Sequence, residues 1–152
     1  MTSLVSVARR FSFIREVGGP NQGAFVEFIQ WFAGGVVGES WCADFVSLVL
    51  FIAYRGKPPL AKTGSTRLML ADADRKGYAR VDQPQPNDLY FFVHADGTPH
   101  HVGIVTSTSP LEGIAGNTSA DGLSSDGTGV FEHAIPSDPI SVVFIRLPQG
   151  GA

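Results

Sequence analysis

The chain changes character near its middle, and this change limits the folds open to it. Residues up to Gly77 carry apolar side chains at three- and four-residue spacing, whereas the residues after Pro86 form short β-rich runs separated by turn residues. Helices followed by a series of strands indicate an α+β fold with a mostly antiparallel sheet. The 152 residues are predicted to form a single domain, 1–152, with its own hydrophobic core.

Four helices are predicted in the first half. Their expected limits are residues 3–17, 21–34, 40–54 and 65–77. Asn21, Ser40 and Ser65 stand at the starts of the last three, where a side-chain oxygen can accept from free backbone N–H groups. The third helix is apolar nearly all round, which predicts a central, buried position.

Five strands are predicted in the second half. The runs are "DLYFFV" (88–93), "HVGIVTS" (101–107), "EGIAG" (112–116), "GVFEHAI" (129–135) and "SVVFIRL" (141–147). The Gly-, Ser- and Asp-rich residues 117–129 between two of them are predicted to form a loop.

Composition and charge exclude several classes of function. With a net charge of -3 and no Lys/Arg stripe, the chain lacks the basic surface of a nucleic-acid-binding protein. The longest apolar run, 45–54, is about half of a membrane span, so no membrane insertion is expected. A single cysteine permits no intrachain disulfide. The N-terminus lacks a signal-peptide pattern, so we expect the chain to be made and folded in a cytoplasm.

The single cysteine, Cys42, lies in the first turn of the third predicted helix. The free N–H groups and the dipole of a helix N-terminus favour negative charge there, so the pKa of the thiol is expected to be lowered. The same face of the helix carries Phe45, Val46 and Val49, which predicts packing against the sheet. A thiolate placed in this way is a candidate nucleophile, and it needs a base from a strand.

Two histidines at the start of one strand are candidates for that base. In "PHHVGIV", His100 and His101 point to opposite faces of the strand, so only one of them can face Cys42. His101 shares its face with Gly103, where the missing side chain is predicted to let the cysteine helix approach, so His101 is preferred and His100 is the alternative. His94 and His133 are interpreted as surface or turn residues.

The next strand supplies an acceptor for the second imidazole nitrogen. Asn117 ends "IAGN", and an amide oxygen can accept from the imidazole N–H. For the oxyanion, the backbone N–H of Cys42 is one donor, and Asn21, Gln22 and Ser40 are candidates for a second. Trp41, beside the nucleophile, is a candidate wall of the substrate groove; Trp41, Ser40 and Asn21 therefore form the predicted substrate-binding set.

The motifs "SWCADFVS", "PNDLYFF", "HHVGIV" and "IAGN", in this order, resemble the CHAP domain (cysteine, histidine-dependent amidohydrolase/peptidase), of the NlpC-type papain-like clan. The resemblance covers about residues 13–147. It implies a papain-like fold and hydrolysis of an amide bond in peptidoglycan, by an endopeptidase or an N-acetylmuramoyl-L-alanine amidase. It also implies Cys42 as nucleophile, His101 as base and Asn117 as third residue, without cofactor or metal. Some members carry Glu where this chain has Ala115.

Two settings and two other functions remain open at this stage. An enzyme of this kind acts on the cell wall or in the periplasm, as a phage lysin or as an injected antibacterial effector with an immunity protein as partner. One alternative is a cell-wall-binding module without catalysis. The other is a zinc-dependent hydrolase that uses the residues of "HADGTPHH", namely His94, Asp96, His100 and His101.

Overall fold

All helices precede all strands, as the sequence predicts. A computed structural model describes residues 2–122, 127–136 and 141–149. In this part of the chain the helices are α1 (Leu4–Arg9), α2 (Ala24–Ala33), α3 (Cys42–Ala53) and α4 (Thr66–Arg75). The strands are β1 (Leu89–Val93), β2 (Pro99–Thr108), β3 (Leu111–Thr118), β4 (Gly129–Ala134) and β5 (Val142–Ile145).

The five strands form one sheet in the order β4-β3-β2-β1-β5, and every neighbouring pair is antiparallel. All five predicted strands are therefore present, and the α+β prediction with an antiparallel sheet is confirmed. Within the predicted loop 117–129, residues 117 and 118 belong to β3 and residue 129 begins β4, while 123–126 lie outside the described residues.

Helix α3 is the centre of the core, because it packs against α1, α2, β2 and β3. Ten of its side chains, from Cys42 to Ala53, are buried. Alternate strand residues such as Phe91, Val102 and Ile104 face the helices and join the same core. The nearly uniform apolarity of the helix sequence thus reflects contacts on all its sides.

The other face of the sheet holds a second, smaller core. Tyr90 and Val105 are fully buried there, and Ile135 and Val142 pack beside them. Gly103 and Gly113 leave room for the ring of Tyr90, because a Cβ at either position would overlap it. Gly103 therefore accommodates Tyr90, and its predicted role of admitting the cysteine helix is wrong.

Two predicted helix starts are wrong and one is confirmed. Asn21 does not cap α2, because it has a φ of 58° and the N-cap is Gly23. Ser40 does not cap α3, whose N-cap is Trp41, without a side-chain hydrogen bond. Ser65 caps α4 as predicted, by accepting from the backbone N–H of Leu68 at 3.2 Å.

The first helix is also much shorter than predicted. It ends at Arg9, and the chain then turns so that Arg15 forms a β-bridge with Gly129. Ile14, an apolar position in the helical pattern, is buried in this extended segment instead. Pairing with the sheet thus overrides a local helical pattern of apolar residues.

The start of α3 meets the sheet at Gly116. A Cβ at this position would lie 2.7 Å from the ring of Trp41 and 2.8 Å from the Cβ of Phe45. The missing side chain therefore allows the N-terminal turn of α3 to lie directly on β3.

We expect Gly116→Ala to destabilise the fold by about 1–3 kcal/mol, since the added methyl group overpacks a rigid contact. Equilibrium urea unfolding measures the change. Thr108→Ala, at an exposed position of β2, is the matched control and is expected to cost less than about 0.5 kcal/mol. Equal effects of both substitutions would contradict a tight α3–β3 contact.

Candidate functional site

Cys42 is the first residue of α3, and only 3% of its surface is exposed. Burial raises the pKa of its thiol to about 11, because the charged form loses its hydration. The backbone groups of Val102 and Ala43 counteract this only in part. The expectation of a lowered thiol pKa is therefore wrong for this state of the protein: desolvation outweighs the helix N-terminus.

The thiol lies beside β2, near the end of the described β2–β3 pairing. Its interaction with the backbone of Val102 places it next to the residue that follows His101. Among the described pairings, β2 and β3 are joined from Ile104 and Ile114 towards the turn, but not at Val102. Cys42 thus lies where the β2–β3 ladder ends.

His101 is fully buried on the face of the sheet opposite the helices. Its ring stacks on that of Phe92, its partner on β1, at a centroid distance of 5.4 Å and an angle of 27°. Burial, with smaller effects of His133 and His100, lowers the pKa of His101 to about 3. Neither ring nitrogen has a hydrogen-bond partner among the described residues, so no hydrogen bond joins the imidazole to Cys42 or to Asn117.

Asn117 is fully buried at an irregular point of β3. It has a φ of 51°, and the β3–β4 register shifts between Ala115 and Thr118. Neither the oxygen nor the nitrogen of its side-chain amide has a hydrogen-bond partner in the described part of the chain. If the β2–β3 register continued past Ile104 and Ile114, Asn117 would lie opposite His101.

His101 and Asn117 therefore have four buried polar atoms without partners among the described residues, and the thiol of Cys42 lies beside the backbone of Val102, the residue after His101. Buried polar groups are nearly always hydrogen bonded, and exceptions are often functional. A thiol can donate a proton, a neutral imidazole can accept it, and an amide can bind the imidazole. The groups needed for nucleophilic catalysis are thus present, in a closed and neutral state.

The other predicted site residues lie in different environments. Trp41 is fully buried, and its indole N–H donates to the carboxylate of Glu16 at 2.9 Å. Ser40 is exposed. The side chain of Asn21 donates to the carbonyl of Gly38 at 3.2 Å, while its oxygen is buried without a described partner. Their roles in substrate binding stay predictions.

The histidines considered as alternatives are placed differently. His100 and His94 are exposed and stack on each other at 4.4 Å, on the surface. His133 is buried rather than superficial, and its Nε2 lies 3.2 Å from the hydroxyl of Tyr90. In the described residues, no group of three or more His, Cys, Asp or Glu is arranged to hold a metal ion.

Asp44 is a buried titratable residue that the sequence analysis did not identify. Only 1% of it is exposed, and its Oδ1 has no hydrogen-bond partner in the described structure. Burial, with a smaller effect of Glu39, raises the pKa of this carboxyl to about 7. A Cβ at Gly35 or Gly64 would overlap it, at 2.5 and 2.8 Å from Oδ1. The two glycines were the available signal, since both lie in predicted loops that flank α3.

Neither the family models, nor the curated proteins, nor the solved structures with which the chain was compared match it. The described helices include none that is both long and apolar enough to cross a bilayer.

Replacing Asp44 is expected to change the pH dependence of stability. Because the folded-state pKa of Asp44 is raised from 3.8 to about 7, wild-type protein loses stability as pH rises through this interval. Asp44→Asn has no such loss, so its advantage over wild type grows from pH 4 to pH 7 by about 1–3 kcal/mol and is constant above pH 8.

Urea unfolding at several pH values measures this difference. Asp82→Asn, at an exposed position, is the matched control. An advantage of Asp44→Asn that is the same at pH 4 and pH 8 would show that the carboxyl is not held in a buried, protonated state.

Proposed function

We propose that the chain is a papain-like cysteine hydrolase of the CHAP type that cleaves an amide bond in peptidoglycan. Cys42 is the nucleophile, His101 the base and Asn117 the residue that orients the base. One observation carries this proposal. Two fully buried residues chosen from the sequence, His101 and Asn117, leave all four of their polar side-chain atoms unpaired among the described residues, and the thiol of Cys42 lies beside the backbone of Val102, the residue after His101.

The first step proceeds from a neutral pair. The pKa of Cys42 is about 11 and that of His101 about 3, so at neutral pH the thiol keeps its proton and the imidazole is free to accept it. As the sulfur attacks the carbonyl carbon, the thiol proton moves to His101. The carbonyl oxygen becomes an oxyanion, which the backbone N–H of Cys42 stabilises at the start of α3.

The second step releases both products. His101 gives its proton to the nitrogen of the leaving amine, and a thioester remains on Cys42. Water then attacks the thioester, with His101 as base, and the acid product leaves with the thiol restored. Asn117 accepts a hydrogen bond from the second imidazole nitrogen, which fixes the orientation of the ring throughout the cycle.

Substrate access requires local movement. Cys42 and His101 are buried, so a polymer reaches them only when the surrounding segments separate. Movements of this kind are common in enzymes and contribute to substrate selection. Opening also hydrates the site, which returns the pKa values of thiol and imidazole towards each other and favours proton transfer.

The setting that we propose is the bacterial cell wall or the periplasm, reached from a phage or through a secretion system, with an immunity protein as partner in the second case. The burial of Cys42 supports a second candidate function, a cell-wall-binding module without catalysis. A buried neutral thiol is inert until it is exposed.

Digestion of purified sacculi tests the proposal. We expect wild-type protein to release fragments with new termini and Cys42→Ala to release them at least about 1,000-fold more slowly, since the nucleophile is lost. Mass spectrometry of the fragments identifies the cleaved bond and separates an amidase from an endopeptidase.

The matched control is His100→Gln, which changes the exposed neighbour of the proposed base and is expected to retain wild-type activity. Gram-negative and Gram-positive walls are both needed as substrates. Fragment release at equal rates by wild type and Cys42→Ala would refute a cysteine mechanism, and binding to walls without any release would support the non-catalytic module.

A further inference from the structure

A cavity lies at the C-terminal end of α2, and none of the proposed catalytic residues lines it. Its volume is about 520 Å³, and it is lined by Trp31, Phe32, Ala33, Gly34 and Lys62. This volume is in the usual range of small-molecule sites, about 300–1,000 Å³. It is large enough for a sugar ring with part of its substituents.

Trp31 provides an exposed flat surface in this cavity. Its side chain is 72% exposed, although it is one of the largest apolar groups of the chain. Its ring packs at 5.9 Å and 37° against Phe28, one helical turn earlier, and it lines the cavity. Exposed indole rings of this kind are typical of binding sites.

Lys62 provides a cation that is held in place. Its ammonium group lies 4.5 Å above the ring of Phe32 and donates to the backbone carbonyl of Phe32 at 3.2 Å. No carboxylate in the described part of the chain forms an ion pair with it. The charge is therefore directed to the cavity and available to an anionic ligand.

The chain segments that line the cavity continue to two glycines that contact Asp44 in the first turn of α3. Gly34 is followed by Gly35, and Lys62 is followed two residues later by Gly64. Both Gly35 and Gly64 lie against the carboxyl group of Asp44, which is two residues after Cys42.

We propose that this cavity binds a carboxylate-bearing glycopeptide segment, with the apolar face of a sugar ring on Trp31 and a carboxylate on Lys62. This inference rests on the proposed function and specifies the substrate region that the enzyme holds. Peptidoglycan offers this combination, because its sugars carry peptides with free carboxylates.

Binding is measured with the Cys42→Ala variant, which keeps the ligand intact. The chain has two tryptophans, and Trp41 is buried with its N–H bonded to Glu16, so ligand-induced changes in fluorescence report mainly on Trp31. The probes are a soluble muramyl-peptide fragment with four sugars and chitotetraose, a neutral glycan of the same sugar length. We expect the charged fragment to change the emission and to bind at least about tenfold more tightly.

Two substitutions in this background test the two contacts. Lys62→Gln is expected to weaken binding of the charged fragment about tenfold and to leave chitotetraose unchanged. Lys57→Gln, at an exposed lysine outside the cavity, is the matched control and leaves both unchanged. Trp31→Phe is expected to remove the fluorescence change and to weaken both ligands in calorimetry.

Equal affinities of the Lys62→Gln and Lys57→Gln variants for the charged fragment would overturn the proposal, as would tighter binding of chitotetraose. The result of this binding test can be distinguished from the result of the cleavage test. Suppose that wild type cleaves sacculi, that Lys62→Gln does not weaken binding of the charged fragment, and that Lys62→Gln in the active protein leaves KM unchanged. The cavity proposal alone then fails. If the fragment binds through Lys62 but no cell wall is cleaved, the cavity proposal stands and the proposal of a hydrolase fails.

Discussion

The close approach of α3 to β3 at Gly116 is the contact on which the candidate site depends. Because no side chain separates the helix from the strand, Trp41 and Phe45 lie directly on the sheet. Cys42, between them in sequence, is thereby brought to the end of the β2–β3 ladder. The same packing leaves the cysteine nearly inaccessible, so one constraint both positions the proposed nucleophile and buries it.

Burial and the helix N-terminus act on the thiol in opposite directions. A helix terminus stabilises a charge by about 0.3–1 kcal/mol, and by about 2 kcal/mol in favourable buried cases. The increase in the pKa of Cys42 from 9.0 to about 11 corresponds to a net penalty of about 3 kcal/mol for the thiolate. Desolvation therefore dominates, and in the proposed mechanism the neutral thiol and neutral imidazole are the resting state from which attack and proton transfer occur together.

The sequence was sufficient for the order of elements, all five strands and the cap of α4, because these depend on local periodicity and turn residues. The sequence was insufficient where tertiary contacts determine the local structure. Residues 10–17 continue a helical pattern but pair with β4 through Arg15, and Gly103 accommodates Tyr90 rather than α3. The candidate residues Cys42, His101 and Asn117 were predicted from motifs. The burial of His133 depends on partners distant in sequence, and the burial of Asp44 was signalled only by the glycines at 35 and 64.

The central claim is that the thiol of Cys42 and the imidazole of His101 act as a pair. The most direct measurement is the rate of Cys42 alkylation by iodoacetamide at pH 7, in wild type, His101→Gln and the control His100→Gln, with unfolding midpoints recorded for each. The account predicts that His101→Gln lowers the rate at least about tenfold, because the base that accepts the thiol proton is lost, while His100→Gln does not. Equal rates in all three folded proteins would contradict it.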